Sequence, residues 1–344
     1  MSSGTNSSTH APLPVAVIGC GRMGRLHARV YSEMPPVALV GVFDVDANAA
    51  RAAAEQYKCA AFTELSELLD RVAAVTIAVP TKFHLALAEP FLKRGIACLI
   101  EKPLAQDLEE GRRIVELSKQ YNAAVQVGHI ERFNPVVRAM SKLNVQPRFI
   151  EVIRISPMTF RSLDVGVVLD MMIHDIDIVL RLAGSKVAKI DAVGVSVIGD
   201  VEDICNARIT FDNGCVANLT ASRLAMKTDR KLRIFSSDGY VSIDYAKRQG
   251  IVVRRGGNLA AIRDTAAKIK TGEINDLNRV NYAELVHVEQ LTIDDVEPLR
   301  AQLDAFVDAI QSGTKPPVTA EDGLAAVELA KRIVAAIVPQ KLES

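Results

Sequence analysis

The sequence predicts an N-terminal α/β domain with a doubly wound parallel sheet, followed by an α+β domain with a largely antiparallel open sheet. Between residues 14 and 127, short apolar runs alternate with amphipathic stretches, as in strands that helices cover on both faces. After residue 128, strand-like segments joined by turns replace this alternation. A length of 344 residues is sufficient for two domains of ordinary size.

The first domain is predicted from the order of its apolar runs. Residues 1–13 are mostly polar or small, which favours a disordered tail, and we expect a dinucleotide-binding type of domain over 14–127. The strands are expected at 15–19, 37–43, 60–62, 74–79, 96–100 and 124–127. The intervening helices are expected at 22–34, 47–57, 84–94 and 108–121.

The second domain is predicted to extend over 128–344. The segments Asp212-Asn213-Gly214 and Ser237-Asp238-Gly239 are hairpin signals flanked by β-branched residues. Strands are expected at 149–155, 190–197, 206–211, 216–221, 232–235 and 241–245. Helical periodicity at 298–312 and 320–338 predicts two final helices, which we expect to pack near the domain junction.

Composition argues against several classes of protein. Lysine plus arginine and aspartate plus glutamate each number 41, so no basic surplus points to nucleic acid. The five cysteines are scattered without a Cys-x-x-Cys pair, which is typical of a reducing cytoplasm and predicts no zinc knuckle. No apolar run approaches the roughly 18 residues that span a bilayer. We therefore expect a cytoplasmic protein with no membrane or nucleic-acid partner.

A glycine-rich turn directly after the first predicted strand indicates a cofactor site. Gly19, Gly21 and Gly24 have the spacing that permits a tight turn, close approach of a pyrophosphate and close packing of helix on strand. The second predicted strand ends at Asp44, whose carboxylate can accept hydrogen bonds from the ribose hydroxyls. That charge would repel a 2′-phosphate, so NAD is favoured over NADP. The alternative is a tight turn beside a surface aspartate.

Two further motifs carry groups that can move protons. Lys102 follows a predicted strand, where ligands of open α/β sheets bind, although it also suits an ordinary solvated lysine. On a regular α-helix, Asp170, His174 and Asp177 fall within about 60° of one another among apolar residues. His174 can then accept a proton while Asp170 fixes its tautomer. A buried structural histidine and an Asp177–Arg181 pair remain the alternatives, and one histidine without a partner motif argues against a metal site.

Two loops complete the candidate site. The segment from Gly128 to Pro135 contains His129, Arg132 and Asn134 among aromatic and polar neighbours, which suits a ligand-facing loop as well as a structural linker. The segment Pro80-Thr81-Lys82-Phe83-His84 follows the strand predicted at 74–79 and can lie against the cofactor.

Taken in order, these motifs resemble the Gfo/Idh/MocA oxidoreductase family over essentially the whole chain. The matching elements are the glycine loop at 19–24, Asp44, Pro80-Thr81 with His84, Glu101-Lys102-Pro103 and Asp170-x-x-x-His174. Thr81 departs from the asparagine that many members have. The segments 127–135 and 164–177 further resemble a bacterial branch that oxidises C3 of UDP-N-acetylglucosamine to a 3-keto sugar.

The resemblance implies a set of roles. It maps the catalytic groups onto Lys102, Asp170 and His174, with the base assigned jointly to the lysine and the histidine. It implies NAD contacts from the following residues: Gly19, Gly21, Arg22, Met23, Gly24, Asp44, Pro80, Thr81, His84, Glu101 and Lys102. It implies substrate contacts from His129, Arg132, Asn134 and Asp177.

The resemblance also implies partners. It predicts a sugar or UDP-sugar substrate, a homo-oligomer (dimer or tetramer) formed through the open sheet, and a pathway aminotransferase as a possible partner. An inositol or free-sugar dehydrogenase and a non-catalytic dinucleotide-binding regulator are the rival interpretations.

Overall fold

The computed structural model describes residues 11–159, 164–237, 239–254, 259–275 and 287–339. The chain forms two compact units. The first comprises the residues up to Phe133 together with Glu297–Glu328, and the second comprises Asn134–Val296 together with the residues from Leu329 onward. Most of the predicted tail lies outside the described residues, and the first strand begins at Leu13. None of the helices in the described ranges is long and apolar enough to cross a bilayer.

The first unit contains a six-stranded parallel sheet in the order β3-β2-β1-β4-β5-β6. Its strands are β1 (Leu13–Ile18), β2 (Val37–Phe43), β3 (Ala60–Phe62), β4 (Ala74–Ile77), β5 (Ala97–Glu101) and β6 (Val125–Gly128). Its helices include α1 (Arg22–Ser32), α2 (Ala47–Tyr57), α3 (His84–Leu92) and α4 (Leu108–Gln120). The residues of β1 from Val15 to Ile18 have no exposed surface, as a strand covered on both faces requires. The predicted Rossmann-type order of strands and helices is confirmed.

The domain limits differ from those expected. Helix α8 (Pro298–Ser312) was expected in the second domain, but Leu299, Leu303 and Phe306 are buried in the same core as Val17 of β1. The start of α9 (Ala320–Ala336) also belongs to the first unit, because Gly323 approaches the side chain of Val127 so closely that an added Cβ would lie 2.7 Å from it. Burial of these apolar faces assigns the segment to the first unit.

The second unit contains a nine-stranded mixed sheet in the order β14-β13-β12-β11-β7-β10-β9-β8-β15. The strands are β7 (Pro147–Ile155), β8 (Val187–Val195), β9 (Ile204–Phe211), β10 (Val216–Ser222), β11 (Asp229–Ser236), β12 (Gly239–Asp244), β13 (Gln249–Arg254), β14 (His287–Gln290) and β15 (Ile337–Pro339). Among its described residues, the helices include α5 (Pro135–Ser141), α6 (Ile173–Ala183), α7 (Leu259–Lys270) and the end of α9. Most pairs are antiparallel, while β7–β10 and β8–β15 are parallel.

Both predicted hairpins are present as antiparallel pairs. Strands β9 and β10 pair from Thr210 opposite Val216, and Gly214 between them adopts φ +82°. Strands β11 and β12 pair likewise, although Asp238 of that turn lies outside the described residues. The two edge strands β14 and β15, as well as β13, had no counterpart in the sequence prediction.

Candidate active site

The glycine loop between β1 and α1 has the geometry of a phosphate cradle. Gly19 adopts φ +98°, and Gly24 lies so close to it that an added Cβ would be 1.7 Å from the Gly19 carbonyl oxygen. At Gly21, the residue before α1, an added Cβ would meet nothing within 4 Å, so the backbone there faces open space. No side chain caps this helix start. Its first amide groups can therefore donate to an anion, and this arrangement fits a dinucleotide pyrophosphate.

Asp44 lies at the end of β2 beside this loop. One of its carboxylate oxygens accepts the Cys20 amide at 2.6 Å, and the other accepts the Asp46 amide at 2.9 Å. The carboxylate is thus anchored next to the glycine turn, as an adenosine-ribose acceptor would be. Burial, reinforced by the Asp44 charge, raises the pKa of the Cys20 thiol to about 11, so this cysteine stays protonated at neutral pH.

Lys102 follows β5 at the same carboxyl edge of the sheet and is half-buried. The peptide bond from Lys102 to Pro103 is cis. The next turn is tied to the loop after β4 by His84, which has no exposed surface. The Nδ1 atom of His84 lies 3.1 Å from the Pro103 carbonyl oxygen, and its Nε2 atom lies 3.0 Å from the Val79 carbonyl oxygen.

These contacts give His84 a structural role. Burial lowers the pKa of the imidazole, while the surrounding carbonyl oxygens and the Glu101 charge oppose that shift. The predicted contact of His84 with the cofactor stays a prediction, as do those of its loop neighbours. Of these, Thr81 is partly exposed and Pro80 is exposed.

A buried contact that the sequence did not reveal lies beside Lys102. His27 of α1 places its Nε2 atom 3.0 Å from an oxygen of Glu101, the residue before Lys102. Seventy-four positions separate the two residues, so no local spacing could have indicated the pair. The only hint was a histidine within an amphipathic helix that opens on a glycine loop.

In the second unit, Asp170 and His174 lie where the chain enters α6. The prediction of a regular α-helix through both residues is wrong, because Val168–Met172 form a π-helical turn and α6 begins at Ile173. A π turn contains more residues than an α turn, so the 100° stripe applies to His174 and Asp177 but not to Asp170. Asp170 and His174 are half-buried, whereas Asp177 is 1% exposed.

Glu202 organises the start of this π turn. One oxygen of its carboxylate accepts the Val168 amide at 3.1 Å, and its backbone carbonyl accepts the Val167 amide at 3.0 Å. The side chain occupies the space where a Cβ on Gly166 would stand, 2.0 Å away. Glu202 could not be predicted from sequence spacing, because only the fold brings the loop after β8 to the start of the turn.

Two buried ion pairs stabilise the elements around the turn. Arg223 donates to Asp203 at 2.6 Å and to the Val165 carbonyl oxygen at 2.8 Å. Arg154 of β7 donates to Asp175, the neighbour of His174, in a bidentate contact of 2.6 and 2.8 Å. Backbone amides and the Arg223 guanidinium lower the pKa of the Asp203 carboxyl, against the opposing effect of its burial.

The predicted ligand loop at 128–135 is divided between the two units. In the first, His129 has no exposed surface, and Arg132 donates to the Pro317 carbonyl oxygen at 3.1 Å and to Asp322 at 3.4 Å. In the second, the Asn134 side chain accepts the Val136 amide and caps α5. These contacts are structural, and the predicted substrate contacts of the three residues stay predictions.

The described residues contain no group of three or more histidine, cysteine, aspartate or glutamate side chains that could hold a metal ion. The organic cofactor site defines the class instead. A parallel sheet in the order 3-2-1-4-5-6, a glycine cradle and an acidic residue ending β2 are the features of a dinucleotide-binding oxidoreductase with a second α+β domain.

Comparison with known proteins identifies the family. The family described as "Oxidoreductase family, NAD-binding Rossmann fold" (GFO_IDH_MocA) matches residues 13–129, and "GFO/IDH/MocA C-terminal domain" matches residues 153–242. UDP-N-acetylglucosamine 3-dehydrogenase of Acidithiobacillus ferrooxidans is 37% identical over 258 residues, which are 74% of this chain and 82% of that protein. The chain belongs to the Gfo/Idh/MocA family and is an oxidoreductase.

Two further matches cover nearly the whole chain. A solved structure of the same Acidithiobacillus enzyme superposes with a TM-score of 0.84 at 31% identity, covering 95% of this chain and 98% of that one. Inositol 2-dehydrogenase of Rhizobium meliloti is 26% identical over 342 residues, which are 94% of this chain and 97% of that protein. The fold of each unit is therefore shared with a solved dehydrogenase structure.

Proposed function

We propose that this protein uses NAD to oxidise the C3 hydroxyl of UDP-N-acetylglucosamine or a closely related nucleotide sugar, giving a 3-keto sugar. The observation that carries the proposal is the 37% identity to UDP-N-acetylglucosamine 3-dehydrogenase over 82% of that enzyme. Lys102 and His174 also support the proposal, because their side chains can transfer protons. A regulator that only bound a dinucleotide would not need them.

NAD is the proposed cofactor because of Asp44. Its carboxylate is anchored at the end of β2 by two backbone amides and would repel a 2′-phosphate. No arginine follows it before Arg51, whose guanidinium donates to Asn48 at 2.7 Å. The other proposed cofactor contacts in the loop are the backbone and side chains of Arg22 and Met23, at the start of α1.

The proposed chemistry is a balanced two-electron oxidation. NAD, which the glycine loop and Asp44 would hold, would supply the acceptor for the hydride that leaves the carbon carrying the hydroxyl. Lys102 stabilises the negative charge that develops on the oxygen, and either His174 or Lys102 accepts the hydroxyl proton. Asp170 orients His174. The products are the ketone, NADH and one proton.

The test is the absorbance of NADH during incubation with NAD and a panel of UDP-sugars, free sugars and inositols. We expect reduction with UDP-N-acetylglucosamine and competitive inhibition by UDP. Lys102→Met and His174→Asn are expected to lower kcat at least a hundredfold while the melting temperature stays within a few degrees of wild type. Near-normal turnover in both variants would contradict the assignment.

An inositol dehydrogenase is the second candidate, because the Rhizobium relative matches over 97% of its own length. It predicts turnover of an inositol without any effect of UDP. Silence across the panel, with NADH binding demonstrated by fluorescence, would instead favour the regulator interpretation. A 3-keto product would point to an aminotransferase as the next enzyme.

A homo-oligomer is proposed from one face of the nine-stranded sheet. The registers place five side chains on that face, and each is at least 36% exposed. They are Val193, Ile204, Phe235, Val288 and Val338. Exposed apolar side chains on an open sheet are typical of an interface between subunits. Light scattering of the Phe235→Asp variant should show dissociation if this face joins two or four copies.

A further inference from the structure

A buried contact joins the helix of the glycine loop to the strand end that carries Lys102. His27 lies one helical turn after Gly24 in α1 and has no exposed surface. Its Nε2 atom is 3.0 Å from one oxygen of Glu101, the last residue of β5 and the neighbour of Lys102. A single contact therefore links the element that would bind the pyrophosphate to the proposed catalytic lysine.

The Glu101 carboxylate is confined on its other sides as well. Its second oxygen accepts the Lys102 amide at 3.3 Å. The carboxylate also packs against Gly128 at the end of β6, where an added Cβ would lie 2.9 Å from it. Its side chain is 12% exposed. Glu101 thus has room in this position only because residue 128 is glycine. The Glu101 carboxylate in turn holds the Lys102 backbone through a hydrogen bond.

The chemistry of the pair explains why a histidine stands at position 27. A carboxylate that is almost fully removed from water requires a donor, because an unpaired buried charge is strongly unfavourable. An imidazole with its hydrogen on Nε2 donates a charge-assisted hydrogen bond to Glu101. The Nδ1 atom of His27 has no hydrogen-bond partner among the described residues, so the contact with Glu101 is the polar contact that accounts for the ring.

We propose that His27 is a positioning residue for Lys102. By holding Glu101, it fixes the backbone from which the Lys102 side chain extends and connects that backbone to α1. The inference rests on the proposed catalytic function of Lys102. It predicts that loss of the His27 donor lowers turnover more than it weakens cofactor binding, because the amide groups at the start of α1 remain in place.

The test compares two substitutions with a matched control. Leucine at position 27 removes the donor, whereas glutamine can place an amide N–H close to the Nε2 position. We expect His27→Leu to lower kcat at least tenfold with less than a threefold change in the KM for NAD, and His27→Gln to stay within threefold of wild type. The control is Tyr31→Phe, on the same helix as His27: it removes a buried hydrogen bond to Thr76 of β4 and should leave kcat unchanged.

A double-mutant cycle tests whether His27 acts through Glu101. If it does, the variant with both His27→Leu and Glu101→Gln should be no more than twofold slower than the slower single variant. Fully multiplicative losses would overturn the proposal. So would a His27→Leu enzyme with kcat within twofold of wild type, or a His27→Gln enzyme as slow as His27→Leu.

A second readout does not depend on turnover. The rate at which acetic anhydride acylates Lys102 in the cofactor-free protein is measured by peptide mass spectrometry, with the exposed Lys119 as internal reference. His27→Leu should change this rate at least threefold, while His27→Gln and Tyr31→Phe should not. A changed rate in a protein that reduces no NAD would refute the proposed function and retain the positioning role. An unchanged rate would overturn the positioning role even if kcat fell.

Discussion

Replacing Asp175 with asparagine is expected to destabilise the second unit by about 3–5 kcal/mol, because the buried Arg154 guanidinium would lose the negative charge of the Asp175 carboxylate. Both side chains are almost fully enclosed, at 4% and 2% exposed, and two short hydrogen bonds join them. The Arg154 guanidinium also lies 5.5 Å from the centre of the Tyr245 ring.

The magnitude follows from what asparagine can and cannot replace. Its carbonyl oxygen can accept one of the two guanidinium N–H groups, but its amide group would face the other donor. The negative charge is lost altogether. A loss of 3–5 kcal/mol corresponds to roughly two to four powers of ten in the unfolding equilibrium. Replacement of both partners by apolar residues, Arg154→Met with Asp175→Leu, should be less harmful than Asp175→Asn alone.

The assay is hydrogen exchange by mass spectrometry on peptides from β7 and α6, together with urea unfolding followed by circular dichroism. The matched control is Glu151→Gln. Glu151 lies three residues before Arg154 on β7, and the substitution breaks its ion pair with Arg233 of β11. That pair is 2.8 Å long, but its side chains are 36% and 39% exposed, so we expect a loss below about 1 kcal/mol. Equal losses in the two variants would refute the reasoning from burial.

Three other predictions concern the loops of the site. Gly24→Ala should lower the melting temperature and abolish NADH binding, because its Cβ would overlap the carbonyl oxygen of Gly19. Gly21→Ala should fold normally and weaken only NADH binding, as measured by fluorescence. The Cys20 thiol, with a pKa of about 11 rather than 9, should carry about one-hundredth of the usual thiolate at pH 8 and react correspondingly slowly with iodoacetamide; rapid alkylation of native protein would contradict this. Glu202→Ala should destabilise the π turn by about 1–2 kcal/mol, as loss of a helix cap does, and exchange of the 165–172 amides should show it, with Glu202→Gln as the milder control.

Much of the first unit could be predicted because its signals are local. A strand, a glycine turn and a helix follow one another within about twenty residues, so their order and the glycine spacing can be read from that segment alone. The glycine loop and the end of β2 at Asp44 were therefore predicted correctly from spacing. The hairpin at 211–216 was predicted for the same reason, since a tight turn depends on its own residues.

The errors arose where distant segments decide the structure. The π turn at Val168–Met172 depends on Glu202 from a separate loop, so the regular helix expected through Asp170 was wrong. Strand β15 has only three residues and exists through its pairing with β8. Helix α8 belongs to the first unit because its apolar face packs in the core beside β1. The sequence shows that face but does not show which core buries it.

The sequence by itself determined the class of fold, the cofactor cradle and the identity of the chemical groups, because glycine spacing and strand–helix alternation act over short distances. Only the tertiary structure decided which buried charges are paired. The contacts of His27 with Glu101, Asp175 with Arg154 and Asp203 with Arg223 connect residues 20 to 74 positions apart. Such pairs form because a buried charge needs a partner, and the fold alone determines which side chain is close enough to be that partner.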